Sequence, residues 1–156
     1  SAAADVAMAL LVGGSGALLP ELWAREGIAV YDSGGEYVIS RGAGRLLIWF
    51  ITPADAAAAA RATALRLLSR LATDAPSAAA VTLAKQRLAG LMLAENESYT
   101  QQAATLALHD GVGGSIATAA TAMPAVLAVT PAQVRAVMPT RLLAAVTLGQ
   151  RPKEGP

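Results

Sequence analysis

The sequence predicts an α+β domain, a small mixed or antiparallel sheet covered on one side by alanine-rich helices. Three observations predict it. From Gly13 to Thr52 one continuous stretch changes its hydrophobic period from helical to extended. Within it, Leu-Leu-Ile-Trp-Phe-Ile (Leu46 to Ile51) is a near-continuous apolar run of strand length. Beyond Pro53, alanine-rich segments carry larger apolar residues at helical spacing, and no repeat or linker separates them from the earlier part.

In chain order, Asp5 is placed to cap a short helix from Val6 to Val12, with Val6, Ala9 and Leu10 inward, and Gly13-Gly14 ends it. A second helix runs from about Ala17 to Glu26. It tolerates Pro20 in its first turn, and Gly27 stands at the C′ stop. Ile28 to Ile39 reads as a strand bent at Gly34-Gly35, Arg41 to Gly44 as the turn, and Arg45 to Thr52 as a central strand buried on both faces. Thr52-Pro53 opens a helix, expected to cover the sheet, with Ala57, Ala60, Ala64, Leu67, Leu68 and Leu71 on its apolar face. Asp74-Ala75-Pro76 breaks it, and Ser77 caps a helix to about Ala94 whose stripe is Leu83, Leu88, Leu91 and Met92. Helices follow from Ser98 to His109, from a Ser115 cap through Ile116 to Met123 (kinked or ended by Pro124), and from Thr130-Pro131 through Val137. Leu142 to Leu148 reads as a last strand. Residues 1–150 thus form one domain and 151–156 a polar tail. Three strands are few for a sheet with a buried central member, so part of the sheet is expected to be missing.

Composition excludes several classes. The apolar fraction of 54% is largely alanine, and no run approaches the roughly 20 unbroken apolar residues of a spanning helix, so no membrane partner is expected. Ser1 to Leu11 lacks the basic start and cleavage signal of a secretory leader. A net charge of +1 with scattered basic residues argues against a nucleic-acid partner. With no cysteine there is no disulfide, thiolate metal site or thiol nucleophile.

The order of motifs carries more than composition does. Gly13-Gly14, Leu18, Glu21-Leu22 and Glu26-Gly27-Ile28-Ala29 precede Gly42 and Gly44 in the hairpin turn and Thr52-Pro53-Ala54-Asp55 after it. Leu83-Ala84-Lys85-Gln86-Arg87-Leu88 and Val129-Thr130-Pro131-Ala132-Gln133-Val134 follow in register. This collinear series resembles the second, non-zinc domain of the pitrilysin, insulinase and mitochondrial-processing-peptidase family of zinc metallopeptidases, the inverzincins. The resemblance covers nearly the whole chain. It implies the LuxS/mitochondrial-processing-peptidase-like metallohydrolase fold, here without its first strand or strands.

The same resemblance implies a non-catalytic domain of a zinc-dependent endopeptidase, helping to enclose peptides while zinc chemistry resides in a separate H-x-x-E-H domain or chain. That motif is absent here, and the chain has a single histidine, His109. No zinc or other cofactor is therefore expected in this domain, only in the parent enzyme or a partner chain. The family's second domain also carries an Arg and a Tyr that hold substrate. Registered through Glu26-Gly27, their positions are Trp23 and Val30; a slipped register offers Arg25 and Tyr31, one residue too close together. A non-enzymatic scaffold subunit of the same fold, similar to respiratory core proteins, is the alternative. Expected partners are a peptide substrate, an N-terminal zinc domain or partner chain, and a second copy in a dimer. The similarity to bacterial two-chain peptidases implies a bacterial source and leaves both cytoplasm and periplasm open.

Other residues read as structural. His109 beside Asp110 lacks a nucleophile at a recognisable motif and sits at a helix end, where the dipole favours it. Glu95 and Glu97 fall at a solvated helix end, and Gly111-Val112-Gly113-Gly114 follows no strand, so it is no dinucleotide fingerprint. Trp23 and Trp49 read as indoles buried at helix–sheet contacts. No residue is thus assigned to catalysis, substrate binding or metal ligation.

Overall fold

The computed structural model describes residues 1–40, 43–95, 97–111, 116–139, 144–146 and 148–149. Their order is α1 (Ala2–Val12), α2 (Leu18–Arg25), β1 (Asp32–Ser40), β2 (Ala43–Ile51), α3 (Ala57–Thr73), α4 (Ala78–Ala94), α5 (Tyr99–Gly111), α6 (Ile116–Leu127) and α7 (Pro131–Ala136). The chain is α+β, with one antiparallel two-stranded sheet among the described residues.

The core is built around α1. Apart from the exposed Asp5 its sequence is apolar, and Ala4 and Val6 to Val12 are all buried, where a single inward face was expected. A helix without a polar face belongs inside a fold. Here α1 touches α2, α4, α6, α7 and β1. Ser1, not Asp5, caps it, its hydroxyl accepting from the Ala4 N–H at 3.4 Å.

The α2 helix ends as its sequence dictates. Gly27 takes φ +70°, Ile28 N–H donates to Trp23 C=O at 2.8 Å and Gly27 N–H to Ala24 C=O at 3.2 Å. These are the two bonds of a Schellman motif, and a left-handed C′ residue is least strained as glycine. The chain then runs irregularly to β1, which begins at Asp32, not at Ile28.

In the hairpin, Asp32 pairs with Ile51, Gly34 with Trp49, Glu36 with Leu47 and Val38 with Arg45. Opposed residues share a face, so Tyr37, Leu46, Ile48 and Phe50 point inward, where they are partly buried against the core. Met8 of α1 sits where a side chain on Gly35 would be, so α1 lies directly on the inner face. The other face is open, with Leu47 49%, Trp49 43% and Ile51 54% exposed. The expectation that β2 is buried on both faces therefore fails, because helices cover one side only, and Trp49 is not a buried indole. Trp23 is: it is 1% exposed, donates its Nε1–H to Ala60 C=O at 3.0 Å and meets Phe50 at a ring separation of 5.1 Å.

Thr52 does not cap α3. Its hydroxyl donates to Ala29 C=O at 2.6 Å, tying the base of the hairpin to the strand entry, and α3 starts later with Ala56 at its N-cap. Nor is α3 the cover of the sheet; it packs on α2 and α7. Ser77 caps α4 as expected, but the buried positions of α4 are Val81 and Ala84, with Leu88 and Met92 partly buried, while Leu83 and Leu91 face solvent. α6 continues through Pro124. α7 opens with a full capping box, Thr130 and Gln133 satisfying each other's backbone N–H. The expected strand Leu142 to Leu148 does not form at 144–146 or 148, which are irregular; residues 142, 143 and 147 lie outside the described residues, as does the tail 151–156.

Three basic side chains satisfy the carbonyls left open where helices end. Arg87 of α4 donates to Ala9 C=O at 2.9 Å and Ser15 C=O at 2.5 Å, at the end of α1. Lys85 donates to Leu127 C=O at 2.8 Å and Val129 C=O at 3.1 Å, at the end of α6. Arg135 of α7 reaches Thr73 C=O at 3.5 Å, at the end of α3. Each places positive charge at the negative end of a helix dipole while tying two elements together.

Candidate functional site

Of the positions that the resemblance singles out, Trp23, Val30 and Tyr31 line one open cleft. It holds about 310 Å³ and is walled by Val12 at the end of α1 with Gly14 and Ser15 beyond it, by Pro20, Trp23 and Ala24 of α2, and by Ile28, Val30 and Tyr31 leading into β1 with Asp32 and Ser33 at its start. Tyr31 N–H donates to Ile51 C=O at 2.8 Å, one residue out of the hairpin's register, in which Ile51 faces Asp32, and this bond fixes the third wall.

Trp23 contributes only the edge of a buried ring, since its N–H is engaged with Ala60. Val30 is half-buried. Tyr31 is 73% exposed and lines the cleft, whereas Arg25 is exposed on α2 and does not line it. The slipped-register pair is therefore not brought together across this cleft. Asp32 accepts from Ser33 N–H at 2.8 Å. A phenol, one carboxylate and two serine hydroxyls stand around apolar walls, and among the described residues no imidazole or second carboxylate joins them. Such a set can hold a polar or cationic group; it has no matched acid and base for bond cleavage.

A second cleft of about 580 Å³ between α2 and α3 contains a cluster that sequence reading missed. Thr63 donates its hydroxyl proton to Glu26 Oε2 at 2.5 Å, and Arg66 Nη2 donates to Glu26 Oε1 at 2.6 Å. The Thr63 hydroxyl and the Arg66 guanidinium together hold the Glu26 carboxyl below its usual range. The i, i+3 spacing of Thr63 and Arg66 on one helix was the available signal, but nothing local ties them to Glu26, more than a third of a hundred residues away in sequence. Every strong polar group in the cluster is spent on another, so it is a clamp between helices.

The remaining candidates are dispersed. Glu95 is exposed at the C-cap of α4 and Glu97 is exposed just beyond it. His109 and Asp110 lie in α5, which packs on α6 and ends at Gly111; their side chains, and residues 112–114 beyond the helix end, lie outside what is described. The resemblance implies zinc for the parent enzyme; this sequence has one histidine and no cysteine. Among the described residues no three His, Cys, Asp or Glu side chains form a group able to hold a metal. Among them, too, no helix is long and apolar enough to cross a membrane.

No family model and no curated protein matches this chain. Among solved structures it is similar to a protease from Helicobacter pylori, with a TM-score of 0.74 and 16% sequence identity, over 88% of this chain and 33% of that one. At that identity the likeness is one of fold. The chain spans 33% of the length of the protease it matches.

Proposed function

We propose that this chain is a non-catalytic, second-domain part of a zinc-dependent endopeptidase of the inverzincin type, forming part of the wall that encloses a peptide. One observation carries the reading: most of the chain superposes on a third of a protease, and it does so with a motif order that resembles that domain. Among the described residues the cleft holds no matched acid and base and no three His, Cys, Asp or Glu form a metal-holding group, which is compatible with a division of labour in which an H-x-x-E-H domain or chain activates the water. Residues 1–150 act in this reading as one domain, with the rest a tail.

The test is reconstitution. The chain is combined with the polypeptide bearing H-x-x-E-H, encoded in the same gene or beside it, and cleavage of a quenched-fluorescence peptide mixture is followed. This chain alone is expected to cleave nothing, and the combination to show cleavage lost to a chelator and restored by zinc. Cleavage by this chain alone would refute the non-catalytic role. Stable assembly with a relative that lacks H-x-x-E-H, without cleavage, would replace the reading with the scaffold subunit.

A further inference from the structure

We propose that the open face of the β1–β2 hairpin docks a single extended peptide segment bearing a basic side chain, with its apolar side chains on Leu47, Trp49 and Ile51. The idea deepens the peptidase reading and rests on it for biological role, since it names the class of peptide that the enclosing wall would favour.

Size selects a peptide over a folded partner. Two strands about 4.8 Å apart and nine residues long, at about 3.4 Å per residue, give a strip roughly 10 Å by 30 Å. That is well below the roughly 800 Å² per partner of a stable protein–protein interface. One extended segment fits it. Leu47, Trp49 and Ile51 recur every second residue along β2, at about 6.8 Å, the repeat at which an extended peptide presents same-side residues.

Charge selects the chemistry of that peptide. Asp32 and Glu36 stand on the same face of β1, one on each side of Gly34. Gly34 has no side chain, and the Trp49 indole fills its place, Cζ2 lying 2.5 Å from where a Cβ would stand. The result is an aromatic floor between two carboxylates. A guanidinium or ammonium laid on that ring meets its electron-rich face, with a carboxylate standing to either side along the strand. Arg45 stands beside Val38 at the turn end of the same face, so the basic side chain of the peptide is directed to the Gly34 end.

The test is a titration of the isotopically labelled full chain, followed by NMR at the two indole N–H resonances, which Trp49→Phe assigns. The probes are a capped octapeptide Leu-Ser-Arg-Ser-Leu-Ser-Leu-Ser, whose arginine and leucines share one side when extended, and its counterpart with glutamate in place of arginine. The arginine peptide is expected to move the Trp49 resonance saturably and leave Trp23 in place, with affinity falling as salt rises. It should bind at least tenfold more tightly than the glutamate peptide, and Asp32→Asn with Glu36→Gln should cut that preference below threefold. No Trp49 shift, or equal binding of both peptides, overturns the proposal. So does a Trp49 resonance that moves with protein concentration alone, which would make a second copy the occupant. Because this readout needs no cleavage, failed reconstitution with intact binding would remove the peptidase reading and leave the docking strip.

Discussion

Glu26 does two jobs at one position. Its backbone closes α2, and its carboxylate anchors Thr63 and Arg66 of α3. Its folded-state pKa is lowered, so the fold favours the ionised form, with the Thr63 hydrogen bond as the first cause and Arg66 the second. The sign follows: the carboxylate's contribution is complete above the unfolded-state value of about 4.3 and is lost as pH falls through the lower folded value. Comparing the wild type with Glu26→Gln by urea denaturation across pH should give a stability gap that is constant near neutrality and closes on acidification. A gap that widens toward acid would mean that the carboxylate is not held in its charged form. None of this was legible in the sequence, because Glu26 reads as part of a helix-end motif and its partners lie on another element. Gly27, by contrast, was legible, since the need for a left-handed residue is local.

At the scale of elements, several helix ends were legible from a side chain acting within a few residues, although at α1 the cap is Ser1 and not Asp5. Ser77 caps the helix for which it was assigned, and α7 opens at Thr130-Pro131 as read, with Gln133 completing a capping box that was not. Thr52 misled because its hydroxyl has a longer-range use, closing the hairpin base on Ala29. The hairpin itself was legible from its period and glycines, but the apolar run in β2 was read as burial on both faces when only one is covered. Residue type records that a side chain is apolar; it does not record what lies over it. The two faces should therefore respond differently to truncation. Ile48→Ala, on the half-buried inner face, is expected to cost about 2 kcal/mol, at the low end for a buried isoleucine. Ile51→Ala, on the open face, should stay within about 0.5 kcal/mol. Equal losses at the two sites, measured by chemical denaturation, would show that the outer face is buried in solution.

For the whole molecule, the decisive element is the one that sequence reading treated as minor. The hairpin drew attention through its large side chains, yet α1, eleven residues of mostly alanine, valine and leucine, is what α2, α4, α6, α7 and β1 all touch. Small residues let several elements approach one helix at once, and that role is set by topology, which local periodicity does not contain. It follows that damage to α1 is shared by the whole fold. Leu11 is fully buried there, and truncating it removes apolar contact and leaves a cavity, at about 2 to 5 kcal/mol. A domain of ordinary stability holds only about 5 to 15 kcal/mol in total, so Leu11→Ala takes a large share of it. If α1 is the common support, the loss must appear everywhere together: far-UV helicity and the near-UV signal of Trp23, which sits on α2 against α3, should melt in one transition at a lowered midpoint. Leu83→Ala, at an exposed site on α4, should leave the midpoint nearly unchanged. Two separated transitions in Leu11→Ala, with Trp23 keeping its wild-type midpoint, would mean that α2 and α3 hold together without α1 and that the fold has no single centre.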